Sequence, residues 1–347
     1  MKIGDKNIGS NLIPFIIAEM SGNHNQSLER AMEIVEAAAE SGAQALKLQT
    51  YTPDTLTLDV SDGEFFIEDK DNLWKGKSLY ELYQEAYTPW EWHEPIMKRA
   101  NELGMLCFST PFDATAVDFL EELGVPAYKI ASPEITHLPL LENVAGKGKP
   151  MIISTGMATV TEIDEAVRTV REAGCKQLVL LKCNSAYPAS PENSNVLTIN
   201  HMRKMFGCEV GLSDHTMGVG AAVAAVAHGA SVIEKHFTLS REEGGVDSTF
   251  SMEPDEMKSL VVETHNAWKS LGQVKYGPDK SESQAVLRRR SLYITEDMKK
   301  GEVLTVKNLQ IIRPGLGLAP KYYKVLLGRK VNLDLKKGNA VKWSFVD

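Results

Sequence analysis

Two histidines stand at the ends of neighbouring apolar runs, in Gly211-Leu212-Ser213-Asp214-His215 and Val232-Ile233-Glu234-Lys235-His236. Each run reads as a short strand that breaks into polar residues. Side chains alternate along a strand, so residues two apart share a face. By that rule Ser213 falls with His215, Glu234 with His236, Lys47 with Gln49, and Lys182 with Asn184. A core has no use for so many buried polar groups, because each costs free energy unless paired. A site does. Lys47, Lys129 and Lys182 follow apolar stretches on three different runs. Any one of them alone reads equally well as a lysine that snorkels to solvent. Three ammonium groups converging with Ser132, Ser154, Asn184 and Ser213 would form an anion site for phosphate and carboxylate.

His215 and His236 read as ligands of a divalent metal, against the alternative of two buried, hydrogen-bonded imidazoles. Two imidazoles leave room for water or substrate oxygens, which describes an open Lewis-acid site. No His-x-x-x-His or cysteine-rich zinc spacing is present. Glu19 and Glu134 lie just past the first and fourth runs, where a carboxylate can move protons or hold substrate hydroxyls. Asp247, in Gly244-Gly245-Val246-Asp247-Ser248, suits a ligand role and a turn role equally well.

The elements that must position these residues form a regular series. Strand-like runs begin at Phe15, Ala45, Met105, Ala127, Pro150, Leu178, Glu209 and Ser231. Amphipathic helical patterns begin at Ser27, Trp90, Ala114, Leu138, Val160, Val219 and Pro254. Alternation of this kind builds parallel βα units with right-handed crossovers. Eight strands, nearly all ending in polar residues, predict a (β/α)8 TIM barrel over residues 1–271 rather than an open doubly wound sheet. The segment from Thr52 to Thr88 reads as a long irregular loop, rich in aromatics, on the functional face. Residues 272–285 read as a polar linker, and 286–347 as a small β-rich unit. Such a unit is marginal alone and is expected to dock on a barrel, its own or a partner's.

Composition narrows the function classes. With 38 Lys and Arg against 46 Asp and Glu, the net charge of −8 argues against nucleic acid as a partner. No apolar run reaches the roughly 20 residues of a membrane span, and the start of the chain lacks a signal pattern. The four cysteines form no Cys-x-x-Cys pair. Reduced cysteines in a soluble cytoplasmic protein are expected.

Several stretches together resemble one family. They are Ile17-Ala-Glu-Met-Ser-Gly-Asn-His24, Leu46-Lys-Leu-Gln49, Phe108-Ser-Thr-Pro-Phe112, Lys129-Ile-Ala-Ser-Pro-Glu134, Ile153-Ser-Thr-Gly-Met157, Gly211-Leu-Ser-Asp-His-Thr216 and Ile233-Glu-Lys-His-Phe-Thr238. In combination they resemble the sialic acid synthase family. The tail around Arg313-Pro-Gly-Leu-Gly317 resembles the antifreeze-like (SAF) domain those enzymes carry. The stretches Gly63–Phe66, Leu73–Tyr80 and Tyr87–His93 are most similar to the pseudaminic branch of the family. The N-acetylneuraminate and legionaminate branches remain as alternatives with the same chemistry.

The resemblance implies condensation of phosphoenolpyruvate with an open-chain amino sugar. It places phosphoenolpyruvate on Lys47, Lys129, Ser132, Ser154, Asn184 and Ser213, and Mn2+ or Mg2+ on His215 and His236. It makes Glu134 the residue for proton transfer, with Glu19 beside it, and puts the sugar against Glu19, Gln49, Tyr187 and Asp247. It also implies a homodimer with exchanged SAF domains, in which Arg313 reaches the partner's substrate. A related 3-deoxy sugar-acid synthase is disfavoured by the tail and the two-histidine site. A non-catalytic carbohydrate- or ice-binding protein would have no need of the polar mouth.

Overall fold

The computed structural model describes residues 1–69 and 72–347. Lys70 and Asp71, inside the long segment before Thr88, lie outside the described residues. The chain divides into two units, Met1–Gly272 and Gln273–Asp347.

Eight parallel strands of the first unit close into a barrel: β1 (Phe15–Glu19), β2 (Ala45–Thr50), β3 (Leu106–Pro111), β4 (Tyr128–Ile130), β5 (Met151–Ser154), β6 (Leu178–Cys183), β7 (Glu209–Ser213) and β8 (Val232–His236). They pair in chain order, and β8 closes on β1 with Glu234 opposite Ile17 and His236 opposite Glu19. Both faces of these strands are covered, so the strands are nearly continuous apolar sequence, unlike half-exposed antiparallel strands. A Cβ on Gly211 of β7 would come within 2.2 Å of the Val232 carbonyl oxygen and 2.8 Å of Leu181. Only glycine allows the neighbouring chain that close.

The outer helices start and stop where local chemistry dictates. Ser27 accepts from the Arg30 N–H to open Leu28–Glu40, and Thr159 forms a capping box with Glu162 ahead of Val160–Glu172. The expected patterns at Ala114, Leu138, Val160 and Pro254 are helices starting at those residues. Helices that escaped the sequence reading include Thr198–Phe206 and Leu79–Ala86. Thr198–Phe206 is short and otherwise polar, and it buries Ile199, Met202 and Phe206, a faint i, i+3, i+7 signal. Leu79–Ala86 lies within the segment expected to be irregular. Its capping box, Ser78 with Glu81, is legible in the sequence.

The second unit has its own apolar core, including Leu292, Ile294, Met298, Leu304, Leu309, Leu326, Val331 and Val341. Its strand Ser291–Ile294 pairs antiparallel with Leu309–Ile312. Among the described residues, no helix is long and apolar enough to cross a membrane.

Candidate active site

The C-terminal ends of the barrel strands and the loops that follow them enclose a cavity of about 400 Å³. That size lies within the range of small-molecule sites. Side chains from facing strands meet at its floor. Lys47 Nζ of β2 lies 2.8 Å from Glu19 Oε2 of β1 and 3.6 Å from Glu234 Oε2 of β8. Lys129 Nζ of β4 lies 3.3 Å from Glu234 Oε1, which also accepts from Ser213 Oγ at 2.9 Å. All four ionic groups are buried.

Burial and neighbours set the charge states. Burial opposes ionisation of Glu234, yet Lys129 and Lys47 hold its pKa down at about 2. Glu19 shares Lys47 with Glu234, and burial together with the Glu234 charge raises its pKa. Burial lowers the pKa of Lys129, while Glu19 and Glu234 outweigh burial and raise that of Lys47. Glu134 lines the cavity beyond Lys129, and burial pushes its pKa up to about 7. Its Oε2 is buried without a hydrogen-bond partner, as are Ser154 Oγ and His236 Nδ1. Three orphaned polar atoms around one cavity are costly in a finished core and are expected where a ligand supplies the missing partners.

A polar network runs along the β1, β2 and β8 side. Gln49 Nε2 donates to Glu19 Oε1 and Ser21 Oγ, both at 3.0 Å. Ser21 donates in turn to Asp247 Oδ2, and His236 Nδ1 lies 3.7 Å from that oxygen. Asp247 is therefore drawn into the mouth rather than left in an outlying turn. The Tyr187 ring sits 4.4 Å from the His215 ring and 6.0 Å from that of Trp74.

Lys182 and Asn184 are not among the residues that line the cavity. Cys183 lies opposite Ser213 in the ladder, and Ser213 lies opposite Glu234, so these three share the inward face. Residues one step along the strand face away. Lys182 Nζ instead donates to the Cys183 carbonyl at 2.6 Å. The Asn184 amide turns to the Asn193 carbonyl and its Oδ1 to the Ala186 N–H. The structure brings together Lys47, Lys129, Ser132, Glu134, Ser154, Ser213, Gln49, Tyr187, His215, His236 and Asp247 around the cavity, with Glu19 beneath it. Arg313 is an exposed residue of the second unit. The residue most underrated by the sequence reading is Glu234, seen only as a partner of His236 although it binds both lysines.

The two imidazoles fit an open cation site. Their ring centroids are 5.3 Å apart. His215 Nδ1 lies 2.7 Å from the Asn184 carbonyl, which can only accept, so Nδ1 carries the proton and Nε2 is left as the coordinating atom. Burial, with His215 and three lysines nearby, holds the His236 pKa well below its usual value, which keeps the ring neutral. Burial also disfavours charge on His215, but the Cys183 sulfur, the Asn184 carbonyl and Glu234 outweigh it and raise that pKa. Among the described residues no group of three His, Cys, Asp or Glu forms a ready ligand set, so a cation held there would take its remaining ligands from water or substrate.

Comparison with known proteins decides the family. The NeuB family model matches residues 34–276, and the SAF domain model matches residues 289–347. The chain belongs to the NeuB family. It is 44% identical to the pseudaminic acid synthase of Campylobacter jejuni serotype O:2 over 99% of this chain and 98% of that one. It is 39% identical to the N,N'-diacetyllegionaminic acid synthase of Legionella pneumophila over 99% and 98% of the two chains. Among solved structures, the N-acetylneuraminic acid synthetase of Leptospira borgpetersenii matches with a TM-score of 0.72 and 34% identity, over 82% of this chain and 94% of that one. The NeuB barrel thus explains why the polar residues collect at the strand ends, and the SAF match accounts for the second unit.

Proposed function

We propose that this chain is a pseudaminic acid synthase. It condenses phosphoenolpyruvate with 2,4-diacetamido-2,4,6-trideoxyaltrose and water to give pseudaminic acid and phosphate. The observation that carries the reading is the buried pair of lysines beside two imidazoles and an orphaned carboxyl, in a chain that matches the Campylobacter enzyme over nearly the whole of both.

Phosphoenolpyruvate binds through Lys47 and Lys129, with Ser132, Ser154 and Ser213 donating to its oxygens. Asn184 acts through its backbone carbonyl, which fixes the His215 ring. Glu19, Gln49, Tyr187 and Asp247 hold the sugar. A divalent ion, Mn2+ or Mg2+, held by His215 and His236 would polarise the sugar aldehyde. The enol carbon of phosphoenolpyruvate forms a bond to the aldehyde carbon, and the aldehyde oxygen takes a proton from Glu134. Positive charge develops on the phosphate-bearing carbon. Water adds there and returns a proton to Glu134, and the carbon–oxygen bond to phosphate breaks. A carboxyl with a pKa of about 7 is matched to giving and retaking that proton near neutral pH.

In the same reading two chains pair, and each C-terminal unit caps the partner's barrel so that Arg313 meets an acetamido group of the sugar. The four free cysteines and a phosphoenolpyruvate substrate suit the cytoplasm. Legionaminate or N-acetylneuraminate synthesis is the second reading, favoured by the Legionella relative. Phosphate release from phosphoenolpyruvate with Mn2+ is the test, comparing the altrose sugar with the legionaminic precursor and N-acetylmannosamine. Turnover of the altrose sugar alone supports the proposal, and turnover of another sugar in its place refutes it.

A further inference from the structure

The cavity has two unlike walls. One is the polar face of strand ends. The other is built by the segment after β2, where Leu56, Ile67, Leu79 and Leu82 line the cavity, joined by Phe112 from beyond β3. This wall is firmly built. Ile67 donates its N–H to the Lys77 carbonyl at 3.0 Å, and its own carbonyl accepts from the Gly76 N–H at 2.9 Å. Leu79 and Leu82 sit in the first turn of a helix fixed by the Ser78–Glu81 capping box. Two polar groups beside it are already engaged. The Trp74 indole N–H donates to the Val246 carbonyl at 2.8 Å, and Asn72 Oδ1 accepts from the Trp74 backbone N–H at 2.9 Å.

A hydroxymethyl group gains little from such a wall. A hydroxyl placed against it loses its water partners and finds no new ones. A methyl group placed there keeps the wall dry. We propose that Ile67, Leu79 and Leu82 read the deoxygenated C6 of the sugar, and so select a 6-deoxy sugar over its 6-hydroxy counterpart. The proposal rests on the amino-sugar synthase reading above, but not on the altrose configuration. An apolar pocket discriminates against an added hydroxyl by on the order of 100-fold at most. The expected preference is therefore finite and measurable.

The test compares kcat/KM for two sugars that differ only at C6, 2,4-diacetamido-2,4,6-trideoxyaltrose and 2,4-diacetamido-2,4-dideoxyaltrose, by phosphate release. The wild-type protein is expected to prefer the 6-deoxy sugar by roughly 10- to 100-fold. Ile67→Ser and Leu79→Ser should each shrink that ratio about 5-fold or more, with KM for phosphoenolpyruvate unchanged. Ile67→Val, which stays apolar, should keep the ratio. Thermal melts restrict the comparison to folded variants, and two serine variants at separate anchor points guard against the loss of one. A wild-type ratio near one, or serine variants that slow both sugars equally, overturns the proposal. Turnover of a 6-deoxy sugar of another configuration overturns only the altrose assignment, and the C6 pair is then compared in that configuration. No turnover of any 6-deoxy sugar overturns both.

Discussion

Lys129 and Glu234 meet across the diameter of the barrel. Their strands are four apart in either direction around the closed sheet, yet Nζ and Oε1 lie 3.3 Å apart. The pair closes the floor of the cavity and, with Lys47 and Glu19, balances charge in a region from which water is excluded. Such a cluster is poor evidence for stability in itself, but breaking it is costly.

Lys129→Met leaves Glu234 with Lys47 as its only cationic partner among the described ion pairs. We expect a loss of about 3–5 kcal/mol in unfolding free energy. The double variant Lys129→Met with Glu234→Gln should recover most of it, because no buried charge is then stranded. Urea unfolding of the two variants checks this. A double variant no more stable than the single one would mean that the pair is not the cause.

His215→Ala and His236→Ala should each abolish phosphate release while leaving the fold intact, because both rings border an open cavity rather than the apolar core. Calorimetric titration with Mn2+ should show binding to the wild-type protein and not to either variant. Binding should also weaken as pH falls, since the raised pKa of His215 means a cation must displace a proton. Normal turnover by either variant would remove the metal assignment.

Glu134→Gln should be nearly inactive and, above neutral pH, more stable than the wild type. The sign follows from the shift. The carboxyl has a pKa of about 7 in the fold against 4.5 for an ordinary glutamate, so the folded state binds more protons between those values. Wild-type stability therefore falls as pH rises from about 4.5 to 7, by on the order of 1–3 kcal/mol. The glutamine variant lacks that term. Thermal unfolding at pH 5 and pH 8 should show the gap between the two proteins open with pH, and a constant gap would contradict it.

Exchange of the C-terminal units can be tested with two defective chains. Arg313→Ala should raise KM for the sugar, and His236→Ala should be inactive. In a dimer with exchanged caps, a mixed pair regenerates one site with both residues native. Activity should therefore reappear on mixing after co-refolding. In a dimer without exchange, mixing restores no activity at sugar concentrations well below the raised KM, because every site then carries one of the two substitutions.

Much of this site was legible in the sequence because a strand has a period of two. Once Lys47, Ser213 and Glu234 are inward, Gln49, His215 and His236 follow, and all of them line the cavity. The barrel itself was legible from alternating strands and helices. At Lys182 and Asn184 the same rule is not enough, because alternation alone leaves open which of two faces is inward. Only the ladder, with Cys183 opposite Ser213, decided that. Glu134 lies in the single 3₁₀ turn Pro133–Thr136 and Asp247 just ahead of another, both too short to show a period, and tertiary packing placed them. The ionisation states are likewise tertiary. The same carboxyl chemistry gives Glu234 a pKa of about 2 and Glu134 one of about 7, because one lies between two lysines and the other in a largely desolvated pocket. Sequence determined which groups the chain carries to the barrel mouth. Distances across the barrel, set by closure of the sheet, decided which of them meet and in what charge state.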